Sequence, residues 1–163
     1  MDTARVTIQL EDFDVSAELR ALCDGDGGVG AMASFVGTVR GRNAADGPAA
    51  AEIERMELEH YPGMTESAID AMIDEAERRF DIRRARVIHR VGSLRVGEQI
   101  VLVAVSSAHR GQAFQACEFI MDYLKTEAPF WKKEHTSKGA HWVDARVSDD
   151  AAARRWGLPA SNA

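Results

Sequence analysis

The sequence predicts a mixed α+β fold, a largely antiparallel sheet with helices packed on it, from three observations. Short apolar runs suited to strands occur both back to back and separated by helices. Two segments, near residues 65–80 and 111–126, carry apolar stripes at helical spacing. No glycine-rich phosphate loop of nucleotide type appears, so a doubly wound parallel sheet binding ATP or NAD has no support.

In chain order, Arg5–Leu10 alternates and reads as a strand. Asp14 or Ser16 offers an N-cap for a short helix to about Cys23. Asp24–Gly28 (DGDGG) stops that helix, because its glycines can take positive φ. Val29–Arg40 is a long strand candidate rich in small residues, and Gly41–Ala51, without periodicity, is expected to be a mobile loop. Ile53–His60 is the next strand, with Met56, Leu58 and His60 set against Glu57 and Glu59. The turn Tyr61-Pro62-Gly63 leads into the clearest helix, Thr65–Phe80, whose stripe is Ile69, Met72, Ile73, Ala76 and Phe80.

Arg86–Val91 and Gln99–Ser107 are apolar strands joined by GSLRVGE (Gly92–Glu98), which has the length and glycines of a hairpin or short loop. A second helix, about Gly111–Thr126, turns Ala113, Cys117, Ile120 and Leu124 inward and ends before Pro129. Phe130–His135 and His141–Ala145 are strands around a turn at Thr136–Gly139. The Ala-rich stretch Ala151–Ala163 shows no core stripe and is expected to be partly disordered or to dock on a partner. The expected organisation is one catalytic domain over residues 1–147 and a C-terminal tail over 148–163.

A chain of 163 residues, 45% hydrophobic and 28% charged, suits one domain with a real core. No apolar run approaches the ~20 residues that span a bilayer, and the N-terminus lacks the pattern of a signal peptide, so a cytoplasmic location is expected. Twenty basic against 26 acidic residues leave a net charge of −6, which argues against nucleic acid as a partner. Cys23 and Cys117 form no CxxC pair and read as reduced thiols, and five histidines without a Cys/His cluster predict no metal site. No cofactor is expected.

Lys125, near the end of the second helix, and Lys132, just after Pro129, are the first candidates for chemistry. The chain must turn at the proline, which can bring both ammonium groups to one pocket. Two cations held close make each other easier to deprotonate, and walls such as Phe130-Trp131 strengthen the effect. The plain alternative is a basic helix end followed by a solvated lysine pair. His109-Arg110 opens the second helix, where free N–H groups and a guanidinium invite an anion; surface capping competes with that reading. Arg40 and Arg42 close a strand beside the loop, Phe35 and Met121 read as core, and His60 and His89 read as packed strand residues.

Five blocks together resemble the catalytic large subunit of molybdopterin synthase, the MoaE family. They are FVGTVRGRN (Phe35–Asn43), LEHYPGMTE (Leu58–Glu66), VIHRVGSLRVGE (Val87–Glu98), SSAHRG (Ser106–Gly111) and MDYLKTEAPFWKKE (Met121–Glu134), covering with the intervening stretches about Phe35–Ala145. The resemblance implies an α/β hammerhead fold and a sulfurtransferase that installs the dithiolene sulfurs on cyclic pyranopterin monophosphate (precursor Z). The sulfur would arrive as a thiocarboxylate on the C-terminal Gly-Gly of a small ubiquitin-like, MoaD-like subunit. It further implies a heterotetramer built on a dimer of large subunits. By the same resemblance Lys125 and Lys132 are catalytic, while Phe35, Arg40, His109, Arg110 and Met121 bind substrate, with His109 and Arg110 serving the neighbouring chain's site. The competing class is a non-catalytic module that only holds the ubiquitin-like partner.

Overall fold

The computed structural model describes residues 4–42, 47, 50–143 and 147–157. The chain runs β1 (Val6–Gln9), α1 (Val15–Cys23), β2 (Ala31–Thr38), β3 (Ile53–His60), α2 (Met64–Arg79) and β4 (Arg84–Arg90). It continues β5 (Gly92–Arg95), β6 (Gln99–Ser107), α3 (Arg110–Thr126), β7 (Phe130–Thr136), β8 (Gly139–Val143) and α4 (Val147–Arg155). The mixed α+β expectation holds, with the strands divided between two four-stranded sheets, β1-β4-β6-β2 and β5-β3-β7-β8. Only β1 and β4 pair in parallel; every other described pairing is antiparallel.

The first sheet is covered on both faces, which is why β6 reads as an almost unbroken apolar run rather than an alternating one, while β4 is buried along nearly its whole length even though it carries Arg86, His89 and Arg90. One face carries Ala33, Val87, Val101, Val103 and Val105 and packs with Ile69 and Ile73 of α2, Phe119 and Ile120 of α3, and Leu58 of the second sheet. The other face, with Ile88, Leu102 and Ala104, lies against Phe13 and Leu22 on the α1 side. The site described below opens off the first of these faces.

Local chemistry sets the helix ends. Asp14 caps α1 by accepting from the Ala17 N–H at 3.0 Å. Gly63, at φ +83°, turns the chain into α2, and Glu66 reaches back to accept its N–H at 2.7 Å. Asp122 anchors the far end of the chain: Trp156 donates its indole N–H to Asp122 at 2.6 Å and meets Phe80 and Phe119 edge-on at 5.7 and 5.6 Å. Ala153 beside it is fully buried.

Two expectations change. The segment expected to be a simple connection, Gly92–Glu98, contains β5, which leaves the first sheet and pairs with β3 of the second (Met56 opposite Leu94). Its four residues present a single buried apolar side chain, Leu94, too few to show a period. Much of Ala151–Gly157 is helical and docks on α2 and α3 of its own chain; its apolar contact is one alanine and one tryptophan, which leaves no stripe, and Arg155 adds ion pairs to Glu118 and Asp122 of α3. Most of the expected loop over Gly41–Ala51, the end of the strand expected at His141–Ala145, and residues 158–163 lie outside the described residues.

Candidate active site

The site forms where α3 hands the chain to β7. Pro129 ends the helix and Phe130 begins the strand, its N–H donating to the Ala128 carbonyl across the proline at 2.8 Å. Thr65, fully buried, holds the corner from one side: its hydroxyl lies 3.0 Å from the Tyr61 carbonyl and 3.3 Å from the Pro129 carbonyl, with one proton to share between them. On the other side, the ring of His89 on β4 lies flat against Phe130, with centroids 3.8 Å apart and planes 18° from parallel.

The register fixes which side chains face this corner. In β7, Phe130, Lys132 and Glu134 alternate with Trp131 and Lys133, so the first three share one face. Lys132 stands opposite Leu58, which is only 2% exposed, and Phe130 stands opposite His60. That face is therefore the inward one. Lys125 comes to the same place from the last turn of α3, and Met121 lies one turn earlier on the same helical face. Lys125 is exposed and Lys132 half-buried.

His89 reports the local field. Burial pushes its pKa down to about 3, and the charges of Lys132, Lys125 and His60 act in the same direction. Its Nδ1 lies 2.7 Å from the Arg90 carbonyl. A carbonyl only accepts, so Nδ1 carries the proton and the neutral ring keeps its lone pair on Nε2. The corner therefore gathers two ammonium groups and a neutral imidazole around a wall made of Phe130 and Leu58. Such an arrangement can hold an anionic substrate and move protons beside it.

Other candidates lie elsewhere. His109 is the N-cap residue of α3 and Arg110 its first residue, both exposed. Fifteen residues of helix separate Arg110 from Lys125, about 22 Å at ~1.5 Å per residue. One chain does not bring His109 and Arg110 to the lysines. Phe35, 41% exposed, lies on the edge strand β2, in the alternation of Ala33 that faces α3. Arg40 follows that strand, on backbone tied down by the Val39 N–H to the Glu98 carbonyl and the Ile53 N–H to the Gly41 carbonyl. The buried Cys117 thiol is pushed up to about 11 by desolvation, far from a reactive thiolate at neutral pH.

His89 and His60 are the members of this corner that strand patterns alone pass over as packing residues, whereas Phe130 is one of the two aromatics that the sequence offers as walls for the lysines. One sign was present in the sequence: a histidine that alternates with Ala85 and Val87 on the apolar face of its strand.

The family model described as MoaE protein matches residues 8–127. The chain belongs to the MoaE family. A relative from Ralstonia nicotianae, named molybdopterin synthase catalytic subunit, is 58% identical and covers 97% of this chain and 87% of its own length. A solved MoaE-family structure from Burkholderia multivorans, a molybdopterin cofactor biosynthesis protein E, superposes with a TM-score of 0.79 at 51% identity, over 97% of this chain and 99% of that one. Molybdopterin synthase from Staphylococcus aureus gives a TM-score of 0.77 at 28% identity, over 87% and 98%. Lys132 lies beyond the span matched by the family model but inside the β3–β7 pairing described above. Among the described residues, no helix of this MoaE-family chain is long and apolar enough to cross a membrane, and no cluster of His, Cys, Asp and Glu could hold a metal ion.

Proposed function

We propose that this chain is the catalytic subunit of a molybdopterin synthase. It transfers sulfur from the thiocarboxylated C-terminal Gly-Gly of a small ubiquitin-like subunit to cyclic pyranopterin monophosphate, forming the dithiolene of molybdopterin. The observation that carries this reading is the approach of Lys125 and Lys132, from α3 and β7, to one half-buried corner in a chain of this family. Relatives sharing about half their residues or more with it bear the name of that enzyme's catalytic subunit.

The chemistry suits the residue types. The thiocarboxylate sulfur is itself the nucleophile, so the raised pKa of the Cys117 thiol is no obstacle. Lys125 positions the inserted tail and the pterin and takes part in proton transfer; Lys132 stabilises the negative charge that develops as the carbon–sulfur bond forms. Phe35 and Met121 wall the substrate, and Arg40, His109 and Arg110 hold its phosphate, the last two reaching the pocket from a second copy of the chain. The assembly is a heterotetramer, a dimer of this chain with one small subunit at each end, and it works in the cytoplasm.

The deciding experiment mixes the protein with a thiocarboxylated small subunit and the pyranopterin and reads dithiolene product by mass spectrometry. Product is expected with the wild-type chain. Lys125→Ala should lower the single-turnover rate by about a hundredfold and Lys132→Ala by about tenfold or more, as when a charge-stabilising group is removed from a preorganised site. A Lys125→Ala protein working at the wild-type rate would sink the assignment, and binding of the small subunit without any product would mark a non-catalytic module.

A further inference from the structure

We propose that His89 is a positioning residue for the lysine site: its ring is the seat on which Phe130 is stacked, and through Phe130 it sets where β7 delivers Lys132. This rests on the role proposed above for Lys132. Three observations carry it.

First, the stack joins two sheets. His89 belongs to β4 of the first sheet and Phe130 to β7 of the second. A ring pair at 3.8 Å and 18° is a near-parallel contact that ties them together at the corner where α3 ends. Second, the ring is itself held. His89 is 6% exposed, and the hydrogen bond from Nδ1 to the Arg90 carbonyl fixes its tautomer and limits its rotation. Third, the lever is short. Phe130 precedes Lys132 by two residues, on the same face of the same strand, so a shift of the ring is passed to the lysine through one strand repeat. The Thr65 hydroxyl lies 3.3 Å from the preceding Pro129 carbonyl and the β3 and β8 ladders hold the β7 backbone, so what the His89 ring orients is the side chain of Phe130 beside Lys132.

Protonation would spoil this seat. A charged imidazole would add a cation beside Lys125, Lys132 and His60, and both burial and those charges oppose it. The seat is therefore constant over the range in which the lysines act, and His89 does not serve as the acid or base of the reaction.

The test compares variants of nearly equal bulk in the full-length chain with its thiocarboxylated partner. His89→Leu keeps an apolar side chain but loses the flat ring; His89→Phe keeps a ring to stack. His89→Leu is expected to lower kcat about tenfold, with the KM for the pyranopterin within about twofold of wild type. His89→Phe should restore kcat to within about threefold of wild type. Phe130→Leu, which removes the same stack from the other side, should match His89→Leu, and the double variant should be no worse than either single one.

A second readout does not depend on turnover: the rate at which Lys132 is acylated by an amine reagent, followed by peptide mass spectrometry. That rate should change at least about threefold in His89→Leu and Phe130→Leu and stay near wild type in His89→Phe, with the exposed Lys138 as an internal control. Equal kcat for the Leu and Phe variants, or losses that multiply in the double variant, overturns the proposal. So does a Lys132 labelling rate untouched by loss of the ring. If His89→Leu fails to fold, Phe130→Leu against His89→Phe makes the same comparison. A labelling shift without product from the wild-type chain would leave the seat standing while overturning the sulfur-transfer reading.

Discussion

A buried histidine makes stability depend on pH in a way that can be separated from every other group. His89 has a folded-state pKa of about 3, against the ordinary 6.5 that it regains on unfolding. Below 6.5 the unfolded chain binds a proton that the folded one refuses, so acid favours unfolding. The stability contributed by the neutral ring is present above 6.5 and is lost as the pH falls from there toward 3. Asp12 and Asp26 also hold their pKa values below the usual carboxylate range, chiefly through hydrogen bonds from Gln99 and Arg83, so their losses come at lower pH. The window between pH 6 and 5 therefore isolates histidines, and a variant lacking only His89 isolates this one. Over that single unit, wild type should lose about 1 kcal/mol more unfolding free energy than His89→Phe. Urea titrations of both proteins at the two pH values measure the difference. Parallel losses would mean that the ring titrates normally and is not shut away from water.

At the scale of elements, patterns with several repeats were legible and single-contact features were not. The stripe Ile69, Met72, Ile73, Ala76 gave α2 to within a residue or so, and Asp14 capped α1 because a short acceptor just before a helix has little else to bond. The two lysines were legible as candidates because Pro129 forces the turn that lets them meet. What escaped was carried by isolated residues: Leu94 in β5, Trp156 behind α4, and the His89–Phe130 stack, whose partners lie 41 positions apart on different sheets. None of these repeats, so no period announces it.

The crossing from β4 into β5 supplies a prediction of its own. Gly92 sits at φ +87°, and a Cβ there would come 2.9 Å from Cδ2 of Leu10; Gly97, at φ +88°, has open space around its would-be Cβ. Both substitutions to alanine incur left-handed strain of about 1 kcal/mol. Gly92→Ala adds a contact only with the far end of Leu10, an exposed and flexible side chain that can turn aside, so its denaturation midpoint should fall by nearly the same amount as that of Gly97→Ala. A clearly larger fall for Gly92→Ala would show that Leu10 is held in place where β4 crosses into β5.

The molecule as a whole poses a geometric problem that one chain cannot solve. His109 and Arg110 sit at one end of α3 and Lys125 at the other, about 22 Å apart along a straight helix. If all serve one pocket, as proposed, each pocket must combine the lysines of one copy with the His109-Arg110 end of another. This has a consequence that no single-chain site could reproduce. Lys125→Ala and Arg110→Ala should each be inactive or nearly so when pure. When the two are co-expressed with distinct tags, half of randomly formed dimers pair one of each. In such a dimer the Arg110→Ala copy supplies an intact lysine corner and the Lys125→Ala copy an intact arginine, so one of the two pockets is whole. Activity should recover to about a quarter of wild type in the mixture and about half in dimers purified through both tags. Recovery at that level, measured as dithiolene formed per dimer, requires a pocket shared between copies. No recovery in doubly tagged dimers would confine the site to the single-chain corner of Lys125, Lys132, Phe130 and His89, and would leave His109-Arg110 as surface residues at a helix start.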